Sequence, residues 1–181
     1  MDAASPAQDV RTIVLLRHAK SVWGLDLPDH DRPLASRGRR DALAVGQFLH
    51  TSGIRPDLVV CSTATRARQT WQRAEKGGAE AGPVAYEAQI YEASAQDLTS
   101  VIRRTDTRAW SLLIVGHAPG IPELVDYLAV RTPTNPAWQR LDVKYPTSGV
   151  AVLRFGGDWS DVGRHRAELV DFAVPRGAKK A

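Results

Sequence analysis

The chain has 181 residues, 43% hydrophobic and 24% charged, with a formal charge of +4, the balance of a soluble globular protein. One domain of this length buries about 70% of the unfolded chain's surface without disulfides or a structural metal, and one cysteine, Cys61, excludes an internal disulfide. The longest stretch free of Asp, Glu, Lys and Arg, Ala109 to Pro122, contains Gly and Pro and falls short of the ~20 apolar residues of a membrane span.

Met1 to Asp9 is small and polar, without the basic start and apolar run of a signal peptide, so a cytoplasmic protein without membrane contact is expected. Residues 1–10 and 176–181 read as flexible ends of one domain spanning 1–181. Ile13 to Leu16 is a continuous apolar run, the pattern of a strand buried on both faces of a parallel sheet. Ser36 to Ser52 reads as a helix with Ala42, Val45 and Leu49 on one face and Gly53 at its end. Leu58 to Cys61 is a second buried strand, and Ala67, Thr70, Trp71 and Ala74 then follow helical spacing. Leu98, Val101 and Ile102 mark another helix, Leu112 to Val115 a third buried strand, and Ile121, Leu124, Val125 and Leu128 the helix after it. Val150 to Phe155 and Ala167 to Val174 read as two strands joined by a Gly-rich connection. Strands alternating with helices predict an α/β fold with helices on both faces of the sheet.

Each of the three buried runs ends in residues that make poor strand material. Arg17, His18, Ala19, Lys20 and Ser21 follow the first; Ser62, Thr65, Arg66 and Arg68 the second; Gly116, His117, Ala118, Pro119 and Gly120 the third. Ligands of open α/β sheets bind beyond the carboxyl ends of the strands. Three strands therefore deliver two histidines and two or more arginines to one edge. A neutral imidazole attacks phosphorus in line, and guanidinium forks bind the equatorial oxygens, so this set suits phosphoryl chemistry without a metal or cofactor. Of the 24 cations 19 are Arg, in keeping with that reading. No Walker-type glycine loop is present.

These segments resemble the histidine phosphatase superfamily, which is phosphoglycerate mutase-like in fold. Leu15-Leu16-Arg17-His18-Ala19-Lys20-Ser21 is similar to its RHG/RHA signature, Ser62 to Thr70 to its S-x-x-x-R-A-x-Q-T segment, and Val115 to Gly120 to its V-G-H-N-P-G segment. Asp29-His30-Asp31-Arg32-Pro33-Leu34, followed by Arg37-Gly38-Arg39-Arg40, narrows the resemblance to SixA-type phosphohistidine phosphatases. It covers about Thr12 to Ala129.

The resemblance implies a three-layer sandwich on a mostly parallel sheet with an antiparallel edge. It implies that His18 is the phosphorylated nucleophile, that Arg17, Arg66 and His117 hold the phosphoryl group with Ser21 nearby, and that water hydrolyses the phosphoenzyme. Glu92, in Ile90-Tyr91-Glu92, matches the position of the general acid that many members carry. Two positions depart from the pattern: Ala118 replaces the usual Asn, which implies a looser His117 loop, and Thr63 replaces the usual Pro. The implied activity is hydrolysis of phosphohistidine in signalling or phosphotransfer proteins. A phosphohistidine leaving group is an imidazole of pKa near ~6.5, which departs more readily than an alkoxide. A broad small-molecule phosphomonoesterase and a non-catalytic phosphoprotein-binding module remain alternatives, so the partner is a phosphorylated protein or a small phosphorylated substrate.

Other residues have plain readings. Cys61 sits within a strand and packs; Trp71 and Trp110 pack as well, while Trp23 follows the nucleophile closely enough to line the pocket. His30, His50 and His165 belong to no pattern. Arg37, Arg39 and Arg40 form a solvated helix start able to steer an anionic phosphoprotein, and no aromatic ladder supports nucleic-acid binding. The short segment between His18 and Leu58 leaves little room for a cap, so an open pocket is expected.

Overall fold

The computed structural model describes residues 10–178. The three continuous apolar runs become β1 (Val10–Arg17), β2 (Leu58–Ser62) and, after a strand absent from the sequence reading, β3 (Val84–Glu87), the run at β4 (Ser111–Gly116). Two more strands were expected and are present, β6 (Val150–Gly156) and β7 (Ala167–Ala173), and a two-residue strand β5 (Ala129–Val130) precedes them. The helices are α1 (Ser36–Thr51), α2 (Thr65–Lys76), α3 (Ala95–Arg103), α4 (Gly120–Leu128) and an unexpected α5 (Pro136–Val143).

All seven strands join one sheet in the order β3-β2-β4-β1-β6-β7-β5. β1, β2, β3 and β4 pair in parallel. β6 runs antiparallel to both β1 and β7, and β5 rejoins β7 in parallel, so the antiparallel pairings lie toward the β5 edge.

The central strand β1 shows why there are three layers. Its side chains alternate between faces. Ile13 and Leu15 pack with residues of α3, α4 and α5, including Leu98, Ile121 and Trp138. Val14 and Leu16 pack with residues of α1 and α2, including Val45, Leu49 and Trp71. All four strand residues are fully buried, as a continuous apolar run requires. The helix ends follow local chemistry. Gly53 takes a φ of 67° just beyond α1. Ser94 and Asp97 form a reciprocal capping box on α3. Asn135 caps α5, with Pro136 at its first turn.

Part of each expected flexible end lies within ordered structure. Val10 already opens β1. Arg176 is bound to Asp41 at 3.1 Å and to the Thr147 carbonyl at 2.9 Å, and the Gly177 amide also reaches Asp41. The rest of both expected flexible ends, residues 1–9 and 179–181, lies outside the described residues. No helix among the described residues is long and apolar enough to cross a membrane.

Candidate active site

β1 and β4 are neighbours in register, with Arg17 opposite Gly116, so the residues after them emerge side by side. The His18 amide donates to the Gly116 carbonyl at 3.0 Å, and the rings of His18 and His117 stand 5.0 Å apart, tilted by 51°. β2, the neighbour of β4, ends at Ser62, and the first turn of α2 supplies Arg66. The start of antiparallel β6 closes the fourth side. The Arg17 amide donates to the Gly149 carbonyl, and the Ser148 amide reaches the carbonyls of Arg17 and His18.

The protonation of both imidazoles follows from their surroundings. His18 and His117 are each only 8% exposed. Burial first, then His117 and the Arg66 and Arg17 guanidiniums, pushes the His18 pKa down to about 3. Burial, then Arg66, pushes His117 down to about 4. Both rings are therefore neutral at pH 7. His18 Nδ1 donates to the Ala19 carbonyl at 2.8 Å, which fixes the tautomer and leaves the lone pair on Nε2. His117 Nε2 lies 2.8 Å from the Ser62 hydroxyl.

The two guanidiniums are each held by one edge. Arg17 donates to the Tyr145 carbonyl at 2.7 Å. Arg66 donates to the Asp29 carbonyl at 2.6 Å and to its carboxylate at 3.0 Å. Arg17 Nε, Arg66 Nε, His117 Nδ1 and Ser148 Oγ are nevertheless buried without a hydrogen-bond partner. Such a group costs ~1–3 kcal/mol unless something satisfies it. Four such groups fall on residues around His18, at the ends of β1, α2, β4 and β6.

A profile of the histidine phosphatase superfamily, branch 1, matches residues 13–157. The chain belongs to that superfamily. It is 43% identical over 162 residues to the uncharacterized protein Rv1276c of Mycobacterium tuberculosis H37Rv, covering 89% of this chain and 100% of that one. Two solved structures are similar throughout, both of proteins provisionally named phosphohistidine phosphatase SixA. The one from Nakamurella multipartitia is 34% identical with a TM-score of 0.79, over 96% of this chain and 99% of its own. The one from Agrobacterium tumefaciens is 30% identical with a TM-score of 0.75, over 91% and 99%.

In this member of the superfamily the fold brings His18, Arg17, Arg66 and His117 together. The other two residues named from the sequence are placed differently. The buried Ser21 hydroxyl accepts from Arg32 at 2.7 Å, and its contact to the site runs through that arginine. Glu92 is exposed, takes a φ of 57°, and makes no hydrogen bond or ion pair among the described residues. Its neighbour Tyr91 is the residue that enters the site, with its ring 5.5 Å from His117 and its hydroxyl donating to Asp29 at 2.7 Å.

Asp29 is the hub that sequence reasoning passed over. Its carboxylate accepts from Tyr91, Arg32 and Arg66, and these bonds, Tyr91 first, hold it well below the usual carboxylate range. His30, assigned to no pattern, bonds the Thr63 hydroxyl at 3.0 Å and packs its ring edge against Tyr91. The D-H-D-R-P-L motif was legible, yet its link to Arg66 spans 37 positions and has no local signature. Tyr145 and Ser148 lay outside every motif. Ala118 is exposed, and the His117 loop is held without an Asn side chain there: the His117 carbonyl accepts from Ile121, and Ser62 holds its ring.

One other reading changes, and one holds. Trp110 is half-exposed and stacks under Arg11 at 4.6 Å, so it is not core. Cys61 is buried in β2, where burial pushes its thiol up to about 12, which makes it inert packing.

Proposed function

We propose that this protein hydrolyses phosphohistidine in phosphorylated proteins through a phosphoenzyme on His18. The observation that carries this reading is the set of four unpartnered buried polar groups around a neutral imidazole. His18 Nε2 attacks phosphorus, and the bond from phosphorus to the substrate imidazole breaks. Its electron pair goes to the departing nitrogen, which takes up a proton. Arg17 and Arg66, through Nε, and His117, through Nδ1, meet the equatorial oxygens as charge develops. Water then attacks phospho-His18, releasing phosphate and restoring the ring. Ser148 Oγ serves as a fourth ligand, and Ser21 acts by holding Arg32.

The acid chemistry favours a P–N over a P–O substrate. An alkoxide needs a strong proton donor, whereas an imidazole does not. The carboxyl bonded into the site, Asp29, is held ionised and has no proton to give. Glu92 remains the carboxyl to be tested for that role. The relatives named phosphohistidine phosphatase SixA agree with this substrate class.

Trapping of labelled phosphate on His18, with a histidine-phosphorylated protein as donor, tests the proposal. The wild type should label and turn over, and His18→Ala should do neither while remaining folded. A large preference in kcat/KM for sugar or aryl phosphates would overturn the substrate assignment. Absence of turnover on every phosphorylated substrate would leave a binding module.

A further inference from the structure

The mouth of the site carries two exposed features that the hydrolytic step does not use. The loop after Ser21 presents Trp23, 70% exposed, and Leu25 and Leu27, each nearly half exposed, within five residues. Scattered surface apolar residues are ordinary, but three large ones in one short loop form a patch. Trp23 is also held in place. The Arg32 guanidinium stacks on its ring at 3.8 Å and is itself fixed by Asp29, Ser21 and the Val22 carbonyl. A rigid exposed aromatic paired with arginine has the character of an interface anchor.

The second feature is a run of cations on α2. Beyond Arg66, α2 carries Arg68, Arg73 and Lys76 over about 15 Å at helical rise, with Arg73 and Lys76 adjoining one depression and Arg68 on the other flank of the exposed face, over the Tyr86 ring. Arg68, Arg73 and Lys76 make no ion pair among the described residues, and Arg39 of α1 joins the last two around one shallow depression. Arg108, Arg131 and Arg140 are by contrast paired, with Asp106, with Asp126 and Asp142, and with Asp171, while Arg104, Arg154, Arg164 and Arg166 also make no ion pair among the described residues. The one carboxylate of α2, Glu75, accepts from the Trp71 indole. The two features are joined, because the Leu34 amide, just past Arg32, donates to Gln69 of α2 at 2.8 Å.

Building on the phosphohistidine reading, we infer that the Trp23–Leu27 loop and the Arg68–Lys76 strip form one docking surface for an acidic protein segment. In that segment apolar side chains lie on one flank of the phosphohistidine and carboxylates on the other. The recessed His18 admits the phosphorylated ring, the loop takes the apolar flank, and the cations take the carboxylates. Discrimination among phosphoproteins then resides outside the reacting groups.

The test uses fluorescently labelled phosphohistidine peptides, one flanked by Leu and Glu, the other by Ser and Lys. Binding is read by anisotropy in the His18→Ala background, where nothing turns over. The Leu/Glu peptide should bind about tenfold tighter or better, with a preference that shrinks as salt rises. Arg68→Glu/Arg73→Glu/Lys76→Glu, and separately Leu25→Ser/Leu27→Ser, should each bring the preference within about threefold. The same substitutions in the enzyme with His18 intact should leave turnover of free phosphoramidate within about twofold, which also reports an intact fold. Equal affinity for the two peptides, or a preference that survives both variants, would overturn the docking surface, as would stronger competition by single-stranded DNA than by the Leu/Glu peptide. Failure of the His18 enzyme to turn over phosphoramidate or either peptide would instead sink the catalytic reading, and anisotropy would still decide the docking.

Discussion

The Ser62 hydroxyl is the hydrogen-bond partner of His117 Nε2. Its Oγ lies 2.8 Å from that nitrogen and also accepts the Ala64 amide at 3.2 Å. Donation of the hydroxyl proton to Nε2 would place the ring proton of the neutral imidazole on Nδ1, the buried atom that has no protein partner. Ser62→Ala should lower kcat about tenfold, with Ser62→Thr restoring much of it. Nitrogen-15 spectra of the His117 ring check the cause: the wild type should be Nδ1-protonated and Ser62→Ala a mixture. Identical spectra would remove the tautomer argument.

Asp29 holds both terminal nitrogens of Arg66, while Nε of that arginine is left without a protein partner. Asp29→Asn keeps the backbone carbonyl contact at 2.6 Å but removes the charge that orients Arg66, Arg32 and Tyr91 together. A loss of roughly tenfold or more in kcat/KM for phosphoramidate is expected. Unchanged kinetics would show that the guanidinium is positioned by other means.

Acid should spare activity longer than stability. With His18 pushed down to about 3 and His117 to about 4, both rings stay neutral well below the ordinary value of 6.5. The acid limb of kcat/KM arising from these rings should fall below about pH 5 rather than near that ordinary value. Stability behaves otherwise, because the unfolded chain binds protons that the native rings refuse. A depressed pKa contributes stability that is present above the unfolded value and is lost as pH falls toward the folded one. Between about pH 6 and pH 4 the slope reaches roughly 1.4 kcal/mol per pH unit for each histidine. Denaturant titrations at several pH values, compared with His18→Ala/His117→Ala, measure it; equal slopes would contradict the buried neutral pair.

Glu92→Gln should change turnover of a phosphohistidine peptide by less than about twofold, because the residue is exposed and unbonded among the described residues. A loss of about a hundredfold or more, the scale of a missing general acid, would assign Glu92 that role.

The contact between α1 and α2 tolerates no added atom. A Cβ on Gly46 would fall 1.9 Å from the Ala74 carbonyl oxygen, and one on Gly77 2.1 Å from that of Leu43. Gly46→Ala should therefore destabilise the fold by about 1–3 kcal/mol, the usual cost of overpacking, measurable by urea denaturation. A neutral or stabilising outcome would show that the helices can separate at little cost.

Most elements were legible because their signals are local. β1, β2 and β4 are unbroken apolar runs, and α2 and α4 carry helical spacing over several turns. What escaped was short or lacked periodicity. β3 is four residues with none buried, β5 is two residues, and α5 is eight residues in a stretch rich in Thr, Pro and Asn. Trp110 reads as packing from its apolar neighbours, yet it sits where Arg11 and not the core covers its ring.

The sequence by itself determined that two imidazoles and two guanidiniums stand beyond the ends of buried strands, since an apolar run and the polar residues ending it are adjacent along the chain. Only the tertiary structure decided which of their atoms are taken up by protein partners and which are left unpartnered. That depends on partners far away in sequence: Tyr145 for Arg17, Asp29 for Arg66 and Ser62 for His117. A hydroxyl or backbone carbonyl acquires meaning through strand order and register, which bring it within 3 Å of a ring or guanidinium nitrogen, and no periodicity along the chain encodes that distance.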